Sequence, residues 1–427
     1  MKVPRIVLTG CLVAGTVVAL AACGSSSNNN TGTSSSGTTA ASGGKTIDIY
    51  SSLPLLGPLT ADTKPAVNGE QLALSQAGGK AGPFTVKFTS LDDATAAAAN
   101  YTISQCASDG RTAAADPNAV AYIGEFNSGC TEASLPILNK AGVPMISPAN
   151  TYVGLTTSEP GSAPGEPAKY YPSGVRTYMR IVPRDSIQAA SDALAMKQAG
   201  CTHVALANDK TPYGAGITKQ IELVKNSYGI NVVSDLGVNP TAPNFRSYAS
   251  TIKGQGADCF FYGGLTSTGG VQITKDVNSA IPKAKLFGPD GMCLSSWTDP
   301  KQGGVPLSLD PLMQCTVATL DLSAYPGGKT FLKAYQAKYG GGTPAPYAIY
   351  GYEAMKLVLD TISKLGSQGD SKSAVLHALL ATKNRNSVLG TYSFDKNGDT
   401  TLKAYGLYKV SGGQLKFFKT LTPTHVV

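Results

Sequence analysis

Charge is scarce in this chain. Of its 427 residues only 15% are Asp, Glu, Lys or Arg, against 42% that are hydrophobic. No run of Lys or Arg occurs, so the basic patch that a nucleic-acid binder needs is missing. Histidine is almost absent, with three residues (His203, His377 and His425) far apart in sequence. A nucleophile needs a base beside it, and no GxSxG, HExxH or Walker A sequence is present. No CxxC occurs either, which argues against a zinc site. The single tryptophan, Trp297, reads as packing. After the first 22 residues no segment reaches the roughly 18 uninterrupted apolar residues of a membrane helix. These absences imply no cofactor or metal and argue against an enzyme.

The N-terminus is the informative part of what is present. Lys2 and Arg5 precede an apolar stretch over 6–20, and small residues follow. This is the pattern of a signal peptide, here 1–22. Leu20-Ala-Ala-Cys23 resembles a bacterial lipobox, whose cysteine thiol takes a diacylglyceryl group. The alternative is an ordinary secretory signal with a coincidental cysteine. Residues 24–44 are Gly, Ser, Asn, Thr and Ala alone, which bury no core and make a flexible linker. The expectation is an exported protein, lipid-anchored through Cys23 to the outer face of the cell membrane or periplasmic. Without Lys2 and Arg5, 33 basic residues face 27 acidic ones, a mild excess scattered along the chain.

Cys11 leaves with the signal and Cys23 is the lipidation residue, so six cysteines remain. An even number in an exported chain points to disulfides, with fifteen connectivities open. Sequential pairing is favoured: Cys106–Cys130, Cys201–Cys259 and Cys293–Cys315. The middle pair has the firmest argument. Each of its cysteines precedes a short apolar run, Thr-His-Val-Ala-Leu-Ala and Phe-Phe-Tyr, and neighbouring parallel strands would set the two side by side.

Nearly 400 residues after the linker exceed one compact core and indicate two lobes. Short strands are expected over 46–51, 84–91, 120–124, 144–147, 203–208, 231–236 and 258–262. Helices are expected over 66–77, 94–108, 131–141, 186–199, 214–228, 244–255 and 269–279. This alternation is that of doubly wound parallel α/β domains, in which ligands sit beyond the carboxyl ends of the strands. The tips Ser51-Ser52, Glu125-Phe-Asn-Ser128 and Pro148-Ala-Asn-Thr151 converge on that edge. Residues 152–176 read as a long loop without a sheet of its own. Asp395-Lys-Asn-Gly-Asp399 begins like a calcium loop but has Thr400 and Gly406 where Gly and Glu are required, so a hairpin turn is expected.

The motifs occur in a telling order. Gly124-Glu-Phe-Asn-Ser-Gly-Cys-Thr131 is followed by Pro136-Ile-Leu-Asn-Lys-Ala-Gly-Val-Pro144 and Ile146-Ser-Pro-Ala-Asn-Thr151. Then come Asp209-Lys-Thr-Pro-Tyr-Gly-Ala-Gly216, Phe261-Tyr-Gly-Gly264 and Gly288-Pro-Asp-Gly291. The series resembles the branched-chain amino-acid binding proteins of ABC importers, which are type I periplasmic binding proteins. The resemblance implies two lobes joined by three crossovers, near 181–184, 318–324 and 391–394. It puts 45–183 plus 323–391 in one lobe and 184–322 plus 392–427 in the other. It implies a monomer that closes on a small ligand, most simply an amino acid, and docks on a membrane permease.

The resemblance also implies roles for single residues. Ser128 and Thr151 match positions that hold a ligand carboxylate. Ala149 matches a carbonyl, and Asp290 an acidic group, that receive an ammonium. Tyr213 matches an aromatic wall and Tyr347 an aromatic near the side-chain pocket. Asp62 falls at a first-loop position where relatives carry a bulky aromatic. Plainer readings stand beside these: a helix cap for Ser128, a loop hydroxyl for Thr151, a surface turn for Tyr213 and an ordinary turn for Asp290. Three departures leave the ligand's side chain open: Asp290 where Glu is usual, Leu265 where an aromatic closes the pocket, and Gly129-Cys130 in place of hydroxyls. Amides, urea and aromatic acids stay as alternative ligands, as does a sensor role; an exported α/β hydrolase is the enzyme rival, disfavoured by the scarcity of histidine.

Overall fold

The computed structural model describes residues 44–426. The expected signal peptide, Cys23 and nearly all of the linker lie outside the described residues. Two separate sheets organise the chain. In the first, β1 (Thr46–Leu53), β2 (Phe84–Asp92), β3 (Ala119–Gly124), β4 (Met145–Ser147) and β5 (Tyr178–Arg180) run parallel in the order β2-β1-β3-β4-β5. The short segment Lys80–Ala81 adds antiparallel to β2. Every residue of β1 after Thr46 is buried, as a central strand covered on both faces requires.

The second sheet contains β6 (His203–Asn208), β7 (Asn231–Gly237), β8 (Cys259–Gly263), β9 (Lys285–Gly288), β10 (Met313–Val317), β11 (Tyr405–Ser411) and β12 (Gln414–Leu421). Its order is β7-β6-β8-β9-β10-β11-β12. The first five strands are parallel. The last two are an antiparallel addition that the α/β alternation did not announce. The doubly wound α/β class holds for both sheets.

Helices α1 (Thr60–Gln76), α2 (Ile103–Ala115) and α3 (Ser128–Lys140) belong with the first sheet. Helices α4 (Asp185–Gln198), α5 (Pro212–Tyr228), α6 (Arg246–Gly254) and α7 (Gly270–Ala280) belong with the second. The chain then returns. Helices α8 (Gly328–Tyr339), α9 (Ala348–Leu365) and α10 (Lys372–Leu380) pack back on the first sheet's side. There Tyr339 donates to the Asn68 carbonyl at 2.8 Å. Glycines set how closely α1 and α9 approach: a Cβ on Gly69 would strike the Ala348 carbonyl, and one on Gly351 the Ala66 carbonyl.

One expected helix is corrected. Residues 94–108 do not form a single helix. Ala94–Thr95 and Asn100–Tyr101 pair as a hairpin, with Ala99 at φ 48° in its turn. The helix begins only at Ile103, where the Thr102 hydroxyl accepts from the Gln105 N–H at 3.3 Å. A threonine cap and a turn outweigh the helix propensity of four alanines.

The three expected disulfides form, with Cα separations of 5.3 Å for Cys106–Cys130, 5.7 Å for Cys201–Cys259 and 5.5 Å for Cys293–Cys315. Cys259 lies in β8, next to β6, as the strand argument requires. The 395–399 segment is a hairpin turn: the Asp395 carboxylate accepts from the N–H groups of Asn397 and Asp399 at 2.8 and 2.9 Å. Among the described residues no helix is long and apolar enough to cross a membrane.

Candidate functional site

The strand tips define the site. After β3 the chain turns through Glu125-Phe-Asn and enters α3 at Ser128, so the first-turn N–H groups of that helix face the cleft, where they favour an anion. The Ser128 hydroxyl also accepts from the Tyr152 N–H at 3.4 Å. After β4, the Ser147 hydroxyl accepts from the N–H groups of Ala149 and Asn150 at 3.1 and 2.8 Å, which fixes the tip carrying Ala149 and Thr151.

From the second sheet's side come Tyr213, in the first turn of α5, and Asp290, just after β9. Thr211 caps α5, its hydroxyl accepting from the Gly214 N–H at 3.0 Å. All six expected ligand residues, Ser128, Ala149, Thr151, Tyr213, Asp290 and Tyr347, line one cavity with about 390 Å³ of empty space. That figure includes space open to solvent.

The acidic group is held on two sides. Tyr213 donates to Asp290 Oδ1 at 2.5 Å, and Tyr347 donates to Oδ2 at 2.7 Å. Tyr213 is therefore more than an aromatic wall, for its oxygen also accepts from the Gly291 N–H at 3.1 Å. Burial pushes the Asp290 carboxyl up, and the hydrogen bonds from Tyr213, Tyr347 and Gln188 oppose that rise. A carboxylate has about four acceptor positions, so two tyrosines leave room for an ammonium. Tyr347 closes the cleft from the first sheet's side, its ring edge-on to Phe126 with centroids 5.1 Å apart.

Sequence reasoning missed several residues here. Leu59, Phe126 and Leu294 join the anticipated Leu265 as apolar walls, and Asn127 completes the α3 end. Behind the wall, burial pushes Asp185 up to about 8, with the Thr151 hydroxyl opposing and the Asp290 charge adding to the rise. Phe126 lay within a quoted motif. Leu59 and Leu294 carry no signal that separates them from core leucines. Asp62 is not in this cavity's wall; it lines a neighbouring one.

Two other convergences of Asp and Cys occur among the described residues, Asp93 with Cys106 and Cys130, and Asp258 with Cys201 and Cys259. In both, the sulfurs are bonded to each other and offer no thiolate.

A family model described as periplasmic binding protein matches residues 46–414. The chain belongs to the periplasmic binding protein family. The resemblance to branched-chain amino-acid binders is borne out. The Leu/Ile/Val-binding protein BraC3 of Rhizobium johnstonii is 25% identical over 374 residues, covering 85% of this chain and 91% of that protein. Leu/Ile/Val-binding protein homolog 1 of Brucella abortus is 25% identical over 295 residues, or 68% and 72%.

Solved structures share the fold at lower identity. The leucine binding protein LivK of Thermotoga maritima has a TM-score of 0.74 at 22% identity, covering 88% of this chain and 99% of that one. A solute binding protein from R. palustris in complex with benzoate has 0.70 at 17%, covering 90% and 98%. The relatives are binding proteins of an extracytoplasmic family, and binding rather than turnover is the family's work.

Proposed function

We propose that this protein captures an α-amino acid between its two sheets and delivers it to an ABC permease, exported and held to the membrane through lipid on Cys23. The observation that carries the reading is the charge layout of the cavity. Ser128 at the α3 N-terminus and the Thr151 hydroxyl suit a carboxylate on one side. Asp290 supplies a counter-charge for an ammonium on the other. A free amino acid carries both groups on one carbon, and Leu59, Leu265 and Leu294 suit a hydrocarbon side chain, branched or straight.

The mechanism is closure. Lobes 45–183 plus 323–391 and 184–322 plus 392–427 move about three crossovers, and the ligand touches both only when the cleft is shut. It therefore shifts the equilibrium toward the closed state by its difference in affinity for the two states. No covalent step is involved, and the protein acts as a monomer.

A bound aromatic acid is the second reading, favoured by the structural likeness to the benzoate-binding protein. Asp290 weighs against it, because a bare carboxylic acid brings no cation to a buried acidic group. A thermal-shift screen decides between them. At about 100-fold excess over its dissociation constant a ligand adds about 2.7 kcal/mol, a shift of several degrees. Shifts with α-amino acids support the proposal; shifts with benzoates alone discard it.

A further inference from the structure

We propose that the ligand's far end reaches beyond the first cavity into a second one, where a terminal ammonium or guanidinium pairs with Asp62. This rests on the α-amino-acid reading and narrows its substrate class to basic amino acids.

The two cavities lie back to back. The second, with about 1340 Å³ of empty space open to solvent at its rim, shares Leu294 with the first. Three chain segments place residues on each side of the partition. Leu59 lines the first cavity while Ala61 and Asp62 line the second; Gly291 lines the first and Cys293 the second; Tyr347 lines the first and Pro346 the second. Leu294 lines both cavities, and a ligand that reaches Asp62 passes it.

Asp62 is an acidic group of this second cavity with no hydrogen-bond partner among the described residues. It is 7% exposed, in the first turn of α1, and no described residue donates a hydrogen bond to its carboxylate. A buried carboxylate is costly unless paired. Burial, and then the Asp290 charge, push it up to about 7. The only cationic side chain lining this cavity among the described residues is Lys416, which is exposed at its rim; Asp321, also exposed, is acidic. Val317, Leu320 and Pro344 supply apolar wall for a methylene stem. Asp290 and Asp62 thus flank Leu294 as two acidic groups in neighbouring cavities. A molecule with one cation at its α-carbon and another at the end of a hydrocarbon stem answers both.

Calorimetry on the purified full-length protein tests this with L-lysine, L-arginine and L-norleucine. Norleucine has the lysine stem without the terminal ammonium. Lysine or arginine is expected to bind at least tenfold tighter than norleucine. Asp62→Asn should abolish that preference with norleucine affinity unchanged within about twofold, and Asp62→Leu should reverse it. Norleucine binding as tightly as both basic amino acids in the unmodified protein would overturn the inference alone, with no variant needed. A preference that survives Asp62→Asn would do the same. Silence of all three amino acids would overturn the α-amino-acid reading and this inference with it.

Discussion

The Tyr347 hydroxyl donates to Asp290 Oδ2 at 2.7 Å, joining the residue just before α9 on the first sheet's side to the loop after β9 on the second. The bond spans the cleft and lies in the wall of the candidate cavity. Together with the Asn100 Nδ2–Ser267 Oγ bond at 3.2 Å, it ties the first sheet's side to the second's, so the acidic group and a contact across the cleft are the same residue.

Asp290→Ala is expected to weaken an α-amino acid by about 2–4 kcal/mol, because it removes a buried charged partner. Tyr347→Phe keeps the ring against Phe126 and removes one hydrogen bond to a charged group, an effect of about 1.5–3 kcal/mol on closure and hence on affinity. Calorimetric titration of both variants checks this; unchanged affinity in Asp290→Ala would discard the ammonium assignment.

Arg180 and Asp399 pair at 2.6 Å although 219 residues separate them, and Arg180 is wholly buried. Arg184 joins at 3.0 Å and bonds Glu159 of the 152–176 loop at the same distance. Burial alone would raise the Asp399 carboxyl, but the two arginines hold it below the usual range. Asp399→Ala leaves buried Arg180 without its counter-charge and should cost about 3–5 kcal/mol in urea unfolding. Because the folded value is depressed, this stabilisation is present above the unfolded value of about 3.9 and fades as pH falls through the folded one.

Glu70 works in the opposite direction. It is fully buried on α1, and burial pushes it up to about 8, with the neighbouring Ser51 hydroxyl opposing the rise. The folded state therefore keeps a proton that the unfolded chain releases near pH 4.3. Stability from this group is greatest below about pH 4.3 and declines as pH rises to about 8, by about 1.4 kcal/mol per unit. Glu70→Gln should flatten that decline, and unfolding free energies at pH 5 and pH 8 measure it; an equal slope in the variant would contradict the assignment.

The Cys201–Cys259 bridge closes a loop with a sequence separation of 58. Chain-entropy arguments make such a bridge worth about 4 kcal/mol. Cys201→Ser with Cys259→Ala should lower stability toward that figure in denaturant titration, with the β6–β8 pairing retained.

The alternation of short apolar runs with helical stretches was legible because each element writes its period locally. So were the hairpin at 395–399, through its turn residues, and the tips that bear Ser128 and Thr151. The helix expected over 94–108 starts late because a hairpin turns at Ala99 and Thr102 caps the helix at Ile103. The antiparallel strands β11 and β12 left no mark in the α/β pattern, since only their neighbour β10 makes them part of that sheet.

The sequence by itself determined the α/β class and the family, because these follow from local pattern and ordered motifs; it favoured the sequential cysteine pairs and pointed, through the family resemblance, to the six residues that meet in the cavity. Only the tertiary structure decided that two tyrosines clamp Asp290, that Leu59 and Leu294 form its apolar wall, and that Asp62 faces a space of its own. Those facts depend on residues tens to hundreds of positions apart, brought together when the chain leaves the first sheet, builds the second and returns. A side chain's partner across a cleft is set by that path, and no local spacing records it.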